Sequence, residues 1–482
     1  MPSSKPFIFN SYSQRKIALK FSYSGWSYNG LAAQSVPTPL PTVEQTLWDA
    51  LSKGRLVDAS KSFDSAGWSR CGRTDKGVSS AGQVVALWVR SAYTPYNAPH
   101  APHAIEAFKQ PTAARPPSLS KAQHASIDSA DESERDSVRE RVYKEAHEAQ
   151  IFKESQPQTH ELNYIQILNS LLPPSIRILG WAPVHPAFDA RFDCLRRHYK
   201  YYVDPAASPQ GPGLDVGRMN TALQRLKGTH DFRNFCKVDA SKQINNFHRT
   251  IHDAWIEREE NLNLHCVNLV GSAFLYHQVR CMMAVLFLVG CGKEEVSVVD
   301  DLMRVELDPE HPHLPTVIGK PIYDMAHDLP LCLYDCVYDD SKVVWRSAPC
   351  GSESESLHSD QADQADQADA ILHRTHIAKS LTDQLFDLEL KSAMVRNALK
   401  HLHPTLTTPI GDRSNATPLG GNTFAMSKAS RPLLERERGN TPDEINRRWR
   451  DSEKGKRRQG KKGGERVDGH VTDKMDISDA DE

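Results

Sequence analysis

The chain has 482 residues, 59 basic against 61 acidic side chains (net charge −2) and a hydrophobic content of 39%, with a mean hydropathy of −0.55. This length exceeds one ordinary domain, and so low an apolar content predicts that part of the chain joins no core. The charge balance excludes a globally basic nucleic-acid binder, so any surface for a polyanion must be local. Nine cysteines without paired spacings, no apolar run of spanning length and no secretory leader point to an intracellular chain, nuclear or cytoplasmic, outside membranes.

Residues 1–14 read as a polar leader. Ile17, Leu19, Phe21 and Tyr23 then alternate with Ala18, Lys20 and Ser22, as in a strand. Residues 25–30 form a glycine-bounded loop, and Thr42 opens a helix with Gln45 placed to complete a capping box. A second strand follows from Gln83 to Arg90, apolar on both faces and so suited to the interior of a sheet. From residue 93 to 158 the composition shifts, first to Pro, Ala, Ser and His, then to mixed charges. This reads as a largely disordered insertion whose second part is a solvent-exposed helix.

The fold resumes with an amphipathic helix over 162–172, stopped by Pro173 and Pro174, and a short strand near Ile176 and Trp181. Residues 197–203 make a strand with Tyr199, Tyr201 and Val203 on one face, opposite His198, Lys200 and Tyr202. Met219, Leu223 and Leu226 mark a helix ended by Gly228, and strands follow near 249–256 and 262–270. Residues 274–290 read as one helix with Gly290 as its C-cap, apolar nearly all round and therefore buried. A last strand covers 330–338. Beyond 341 lies a tail expected to be mostly disordered. It has three Gln-Ala-Asp repeats over 361–369, a helix near 381–402, a basic run over 454–462 and an acidic end. The basic run suits a nuclear address, an RNA contact or a solvated charge cluster alike.

The parse is a first lobe from 15–92 and 159–189, an insertion over 93–158, a second lobe over 190–340 and a tail over 341–482. Strands and helices mix without βαβ alternation, so the fold class is α+β. A Cys-x-x-x-Cys spacing at Cys332 and Cys336 lies in a strand-like run and lacks a second ligand pair, so no zinc site is expected.

Chemistry concentrates in the stretch Trp68-Ser-Arg-Cys-Gly-Arg-Thr-Asp-Lys-Gly-Val-Ser-Ser80. Gly72 and Gly77 bracket Arg73, Asp75 and Lys76 beside a buried strand, so a carboxylate and a guanidinium are held yet can face a cleft. Taken alone, the loop suits an ordinary hairpin turn better, with Asp75 bonding its own backbone. The buried helix adds weight, because Arg280 is its one certain charge and needs a carboxylate, for which Asp75 is the choice. A route to solvent past the helix start would satisfy Arg280 too.

Cys71-Gly-Arg-Thr-Asp-Lys-Gly-Val-Ser79 resembles the active-site motif of the TruA family of tRNA pseudouridine synthases, in which the aspartate is catalytic. Four further blocks agree in order: 20–30 with Thr42-Val-Glu44, 188–192 with 197–201, 228–232, and 271–280. The wording around Cys71, Phe232 and Phe274 is most similar to the eukaryotic branch that modifies positions 38 and 39 of the anticodon arm. The resemblance implies two related RNP- or ferredoxin-like lobes joined into an extended, mainly antiparallel sheet with a central basic cleft. It also implies an isomerase that acts on tRNA without cofactor or metal, and a homodimer. Asp75 takes the catalytic place, Arg73 the place of an arginine that holds the displaced RNA strand, and Arg280 the place of the residue that keeps Asp75 ionised. Tyr199 matches the tyrosine that stacks on the base, with Tyr201 as the alternative register, and residues 271–275 would pack beneath it. Lys76, Arg191, Arg196, Arg197 and Lys200 are candidates for phosphate contacts. Two other readings stay open: a catalytically silent RNA-binding protein on the same fold, and a hydrolytic glycosidase using Asp75.

Overall fold

The computed structural model describes residues 7–34, 36–93, 108–109, 123, 127, 135–155, 161–206, 213–260, 262–307, 309, 311–347, 360–400, 416–421, 423–426, 431–453 and 455–456. Residues 1–6 of the leader, most of 94–134 and nearly all of the basic run and acidic end lie outside them.

One ten-stranded sheet organises the molecule. Its first half is built from β1 (Gln14–Tyr23), β2 (Ser69–Arg70), β3 (Ser79–Arg90), β4 (Phe108–Lys109) and β5 (Ile176–Pro183). The second is built from β6 (Arg196–Val203), β7 (Gly228–Asp231), β8 (His248–Arg258), β9 (His265–Gly271) and β10 (Leu331–Val337). The order is β4-β1-β3-β10-β6-β9-β8-β7, with β2 beside β3 and β5 beside β1. Every pairing is antiparallel except the seam between the halves, where Cys332 and Leu333 of β10 run parallel to Ser79 and Ser80 of β3. The Ser80 hydroxyl donates to the Leu333 carbonyl across this seam at 2.7 Å. Gly82 permits the approach, since a Cβ there would lie 2.8 Å from the Tyr334 carbonyl oxygen. The mainly antiparallel α+β architecture is the expected one.

The strands form because their apolar positions alternate. In β3, Val85, Leu87 and Val89 join one core with Ile17, Leu19 and Phe21 of β1, under the helices α1 (Val43–Lys53) and α3 (Tyr164–Leu171). Val84 and Ala86 face the opposite core, with Ala18, Cys71 and Leu333. Both faces are therefore dry, as the sequence predicts for an interior strand. Between α1 and α3 comes α2 (Arg135–Ser155), the helix expected within the insertion; its buried Val142 and Ala146 cluster with Ile127, Val138 and Tyr143 of the same insertion.

The second half packs its sheet against α4 (Val216–Gln224) and α5 (Gln278–Gly290). Every residue of α5 except Arg280 is buried. At about 1.5–3 kcal/mol for each large apolar side chain taken from water, this helix is a principal source of stability. Several boundaries differ from expectation. Helix α5 starts at Gln278, not Phe274, and its left-handed C-terminal residue is Gly292 (φ 70°), not Gly290. Helix α4 stops at Gln224, and Gly228 (φ 106°) begins β7 instead of ending the helix. Thr42 caps α1 by accepting from the Gln45 backbone N–H, but the Gln45 side chain donates to Asp49, so the reciprocal half of the box is missing.

The leader and tail hold more structure than composition implied. Ser11 and Ser13 are buried, and Phe7 stacks on Tyr12 under Arg55 and Arg90. After α6 (Val298–Met303), α7 runs from Asp360 to Lys400 and so takes in all three Gln-Ala-Asp repeats, starting well before residue 381. It docks on the first half through His373, Ile377 and Ser380. A hairpin of β11 (Ala416–Gly420) and β12 (Thr423–Met426) is followed by fully buried Leu433 and by α8 (Pro442–Asp451), which carries a complete capping box from Thr441 and Glu444. The expectation of a mostly disordered tail is thus corrected over 416–421, 423–426 and 431–453: a few well-placed apolar residues and hydrogen bonds suffice to dock them. Among the described residues no helix is long and apolar enough to cross a membrane.

Glu161 ties the two ends of the insertion together. Its carboxylate accepts from Ser91 Oγ, the Ala92 N–H and the Leu162 N–H, and pairs with Arg15 Nη1 at 3.1 Å, all in a buried setting. Tyr93, placed by composition in the insertion, is itself buried and belongs to the core. Glu161→Gln removes the carboxylate charge that faces Arg15 in this buried setting, so chemical denaturation should report a loss of about 3 kcal/mol; a change below about 1 kcal/mol would show the pair to be dispensable.

Candidate active site

The Asp75 loop is shaped by close backbone approaches. The Val78 N–H donates to the Asp75 carbonyl, and Gly77 takes φ 84°, closing the turn that the sequence indicated. Loop 25–31 lies directly against it: a Cβ on Gly25 would stand 2.0 Å from the Val78 oxygen, so only glycine fits. The Leu31 N–H donates to the Thr74 carbonyl, and the Thr74 hydroxyl meets the buried Tyr23 hydroxyl at 2.7 Å. Glu44, fully buried in the first turn of α1, accepts from Trp68 Nε1, Arg70 Nε and the Ala33 N–H, which fixes the loop wall to β2. The first block of the motif set is therefore the cradle of the second.

Asp75 and Arg280 meet. Arg280 Nη1 lies 3.1 Å from Asp75 Oδ2, and Arg280 Nε donates to the Ala326 carbonyl at 2.8 Å, which aims the fork. The pair spans 205 residues of sequence. A second partner was not foreseen. His277 Nε2 stands 3.2 Å from the same oxygen. Its backbone is left-handed (φ 60°), a conformation rare for a residue with a Cβ and often associated with functional constraint. Reading 274–290 as continuous helix concealed this, because on a regular helix His277 and Arg280 are simply neighbours on one face. The usable signal was the concentration of polar side chains at 276–280 ahead of an otherwise apolar run. Burial works to raise the Asp75 pKa, but the hydrogen bond and charge of His277, then those of Arg280, outweigh it and hold the carboxyl below its ordinary value.

A pocket of about 70 Å³ opens beside this carboxylate, between Tyr199, Phe274 and Leu275. The Tyr199 and Phe274 rings meet edge-on, 5.0 Å apart, and burial pushes the Tyr199 phenol well above its usual pKa. Gly271 brings Phe274 in, since a Cβ there would touch its ring at 2.9 Å. A wider cleft of about 630 Å³ continues past Arg73, Lys76, Tyr276 and Asp328 to loop 29–36. Arg73 lines both spaces, and Lys76 is exposed on the wider one.

Of the two tyrosines, Tyr199 faces the pocket. Tyr201 is fully buried, and its hydroxyl donates to the His327 and Leu419 carbonyls. Two proposed phosphate contacts are corrected. Arg197 is buried and gives its guanidinium to the carbonyls of Ser272, Cys71 and Arg191, so it braces the start of the Asp75 motif instead of meeting a ligand. Lys200 lies on the opposite sheet face from Tyr199, over the Tyr334 ring and 3.4 Å from Glu257. Arg196 is exposed and Arg191 half-buried, and neither lines the pocket or the wider cleft.

Residues 222–339 match a family model described as tRNA pseudouridine synthase. The tRNA pseudouridine(38/39) synthase of Mus musculus is 36% identical over 351 residues, 71% of this chain and 59% of the mouse protein. That of Saccharomyces cerevisiae is 40% identical over 337 residues, 70% of this chain and 60% of the yeast protein. The match thus spans about three-fifths of the length of these relatives. The Caenorhabditis elegans protein named probable tRNA pseudouridine synthase tag-124 is 33% identical over 350 residues, 71% of this chain and 72% of its own length. With that coverage added to the family match, the chain belongs to the tRNA pseudouridine synthase family.

Proposed function

We propose that this protein isomerises uridine to pseudouridine in the anticodon stem-loop of tRNA, at positions 38 and 39. The observation that carries the reading is Asp75, kept ionised by His277 and Arg280 at the edge of a small, partly aromatic pocket that opens into a cleft with cations. The relatives named for this activity and these positions support it.

The reaction breaks N1–C1′, turns the base and forms C5–C1′; N1 gains a proton and C5 loses one. Nothing is oxidised or hydrolysed. An ionised carboxylate suits each available route: attack at C1′, attack at C6, or removal of a sugar proton. Arg280 and His277 both engage Oδ2, and among the described residues no hydrogen bond to Oδ1 is present, so that oxygen suits the reacting role. The target base must leave its stack, and the Tyr199 ring offers a replacement surface inside the pocket. A phenol with so high a pKa stays protonated and uncharged, which suits stacking. Close walls keep the detached base from escaping before it is rejoined. Arg73 would hold the displaced strand and Lys76 a phosphate. The reading extends to a homodimer, on family likeness.

Asp75→Asn should abolish product while tRNA affinity stays within about threefold, because the lost group does chemistry and not docking. Substantial turnover by this variant would remove Asp75 from the catalytic place. The rate should depend on ionised Asp75, so it should fall only as pH drops below the ordinary carboxylate range. Arg280→Met removes one of the groups that depress the pKa and should carry that acid limb upward. An unmoved limb in the pH profile would show that Arg280 does not tune the carboxyl.

Stem recognition through an A-form surface reads shape and phosphates, since the major groove is too deep and narrow for side chains. Binding should therefore weaken steeply with salt despite the net charge of −2. With tRNA transcripts carrying single uridines, product should be confined to 38 and 39, and product mainly elsewhere would assign a different target.

A further inference from the structure

The hairpin of β11 and β12 pairs only with itself, outside the ten-stranded sheet, yet its turn reaches the support of Arg280. The Leu419 carbonyl accepts from the His327 N–H at 2.6 Å and from the Tyr201 hydroxyl at 3.1 Å. The same hydroxyl also reaches the His327 carbonyl at 3.0 Å, so its one hydrogen is shared between hairpin and segment 326–328. One residue upstream, fully buried Ala326 grips Arg280 twice: its N–H donates to the Arg280 carbonyl at 3.3 Å, and its carbonyl accepts from Arg280 Nε. The Nε contact sets the plane of the guanidinium, and with it the direction in which Nη1 meets Asp75. The hairpin's first strand is fastened independently, by Lys293 Nζ to Thr417 Oγ1 at 2.8 Å, just past the end of α5.

Gly420 makes the approach possible. It takes φ 87°, and a Cβ there would fall 2.1 Å from the Tyr201 hydroxyl oxygen, far inside contact distance. A hairpin that only covered apolar surface would not need its backbone seated on a buried tyrosine hydroxyl. We propose that this C-terminal hairpin is a positioning element of the catalytic site, holding Arg280 against Asp75 through Leu419, Gly420, Tyr201 and residues 326–327. The proposal rests on the pseudouridine synthase reading and deepens it: a segment far outside the motif blocks sets the geometry of the ion pair within them.

The test compares wild type, Tyr201→Phe, Gly420→Ala and the double variant in the full chain, by single-turnover pseudouridine formation, tRNA binding and pH profile. Each single change should lower the rate on the order of tenfold, since small misplacements at a reacting centre are costly. Affinity for tRNA should stay within about twofold. The acid limb of the rate should move upward in both, as Asp75 loses part of Arg280. The double variant should be no worse than the worse single one, because both act through one contact. Lower melting temperatures with an unchanged rate and an unmoved acid limb would overturn the proposal and leave the hairpin a packing element. Should Gly420→Ala not fold, Tyr201→Phe decides alone, since it removes a single oxygen from a buried ring. Absence of product from wild type would instead defeat the underlying functional reading, so the two failures are distinct.

Discussion

The ion pair between Asp75 and Arg280 is the contact on which the arrangement depends. Buried or half-buried charge pairs contribute little net stability, because desolvation offsets most of their attraction, whereas a lone buried charge costs several kcal/mol. The pair is thus better understood as a constraint. Arg280 cannot leave without stranding a charge at the head of an apolar helix, and Asp75 cannot protonate without losing two partners. The carboxylate remains ionised in a place where burial alone would push its pKa up. The parallel seam between β3 and β10 keeps the two residues in reach, since Ser79 follows the loop that carries Asp75 and β10 follows the segment whose Ala326 carbonyl holds Arg280 Nε.

Other buried charges play a different part. Glu44, Glu161 and Arg197 each spend their hydrogen-bonding capacity mainly on backbone groups or on buried donors from separate segments. They act as multi-point fasteners for loops that have no regular structure of their own. Backbone groups in such loops need partners once water is excluded, and a single carboxylate or guanidinium satisfies several at once. That Arg197 serves the protein and not a phosphate follows from this economy.

Much of this was legible in the residues. Alternation identified β1 and β6, apolar runs identified β3 and α5, and the lone charge in α5 led to Asp75. The choice between Tyr199 and Tyr201 was not legible, because both share one strand face and differ only in what lies above them. His277 was missed because periodicity describes regular backbone and is blind to one left-handed residue before a helix. The docked part of the tail was missed for a compositional reason. Its contacts with the core run through backbone groups, Leu433 and Leu434, and the polar side chains of Thr417 and Asn446, and too few apolar residues mark it as structured. Arg197 and Lys200 were misread because charge type does not reveal whether a cation faces the cleft, the opposite sheet face or the interior.

The clasp at Glu161 bears on the connectivity of the chain. Entry to and exit from the insertion meet at one carboxylate, so the polypeptide between them is an excursion, from which Phe108 and Lys109 return to the sheet as β4 beside β1. A cut anywhere within that excursion would yield two pieces with an uneven division of labour. The first carries Asp75 and Arg73; the second carries Arg280, His277 and Tyr199. Neither alone holds a complete site, but the first carries β1 and β3 and the second supplies their partners β5 and β10. The sheet, the shared core and the Glu161 clasp then reunite them, and assembly of the two pieces becomes the same event as assembly of the ion pair.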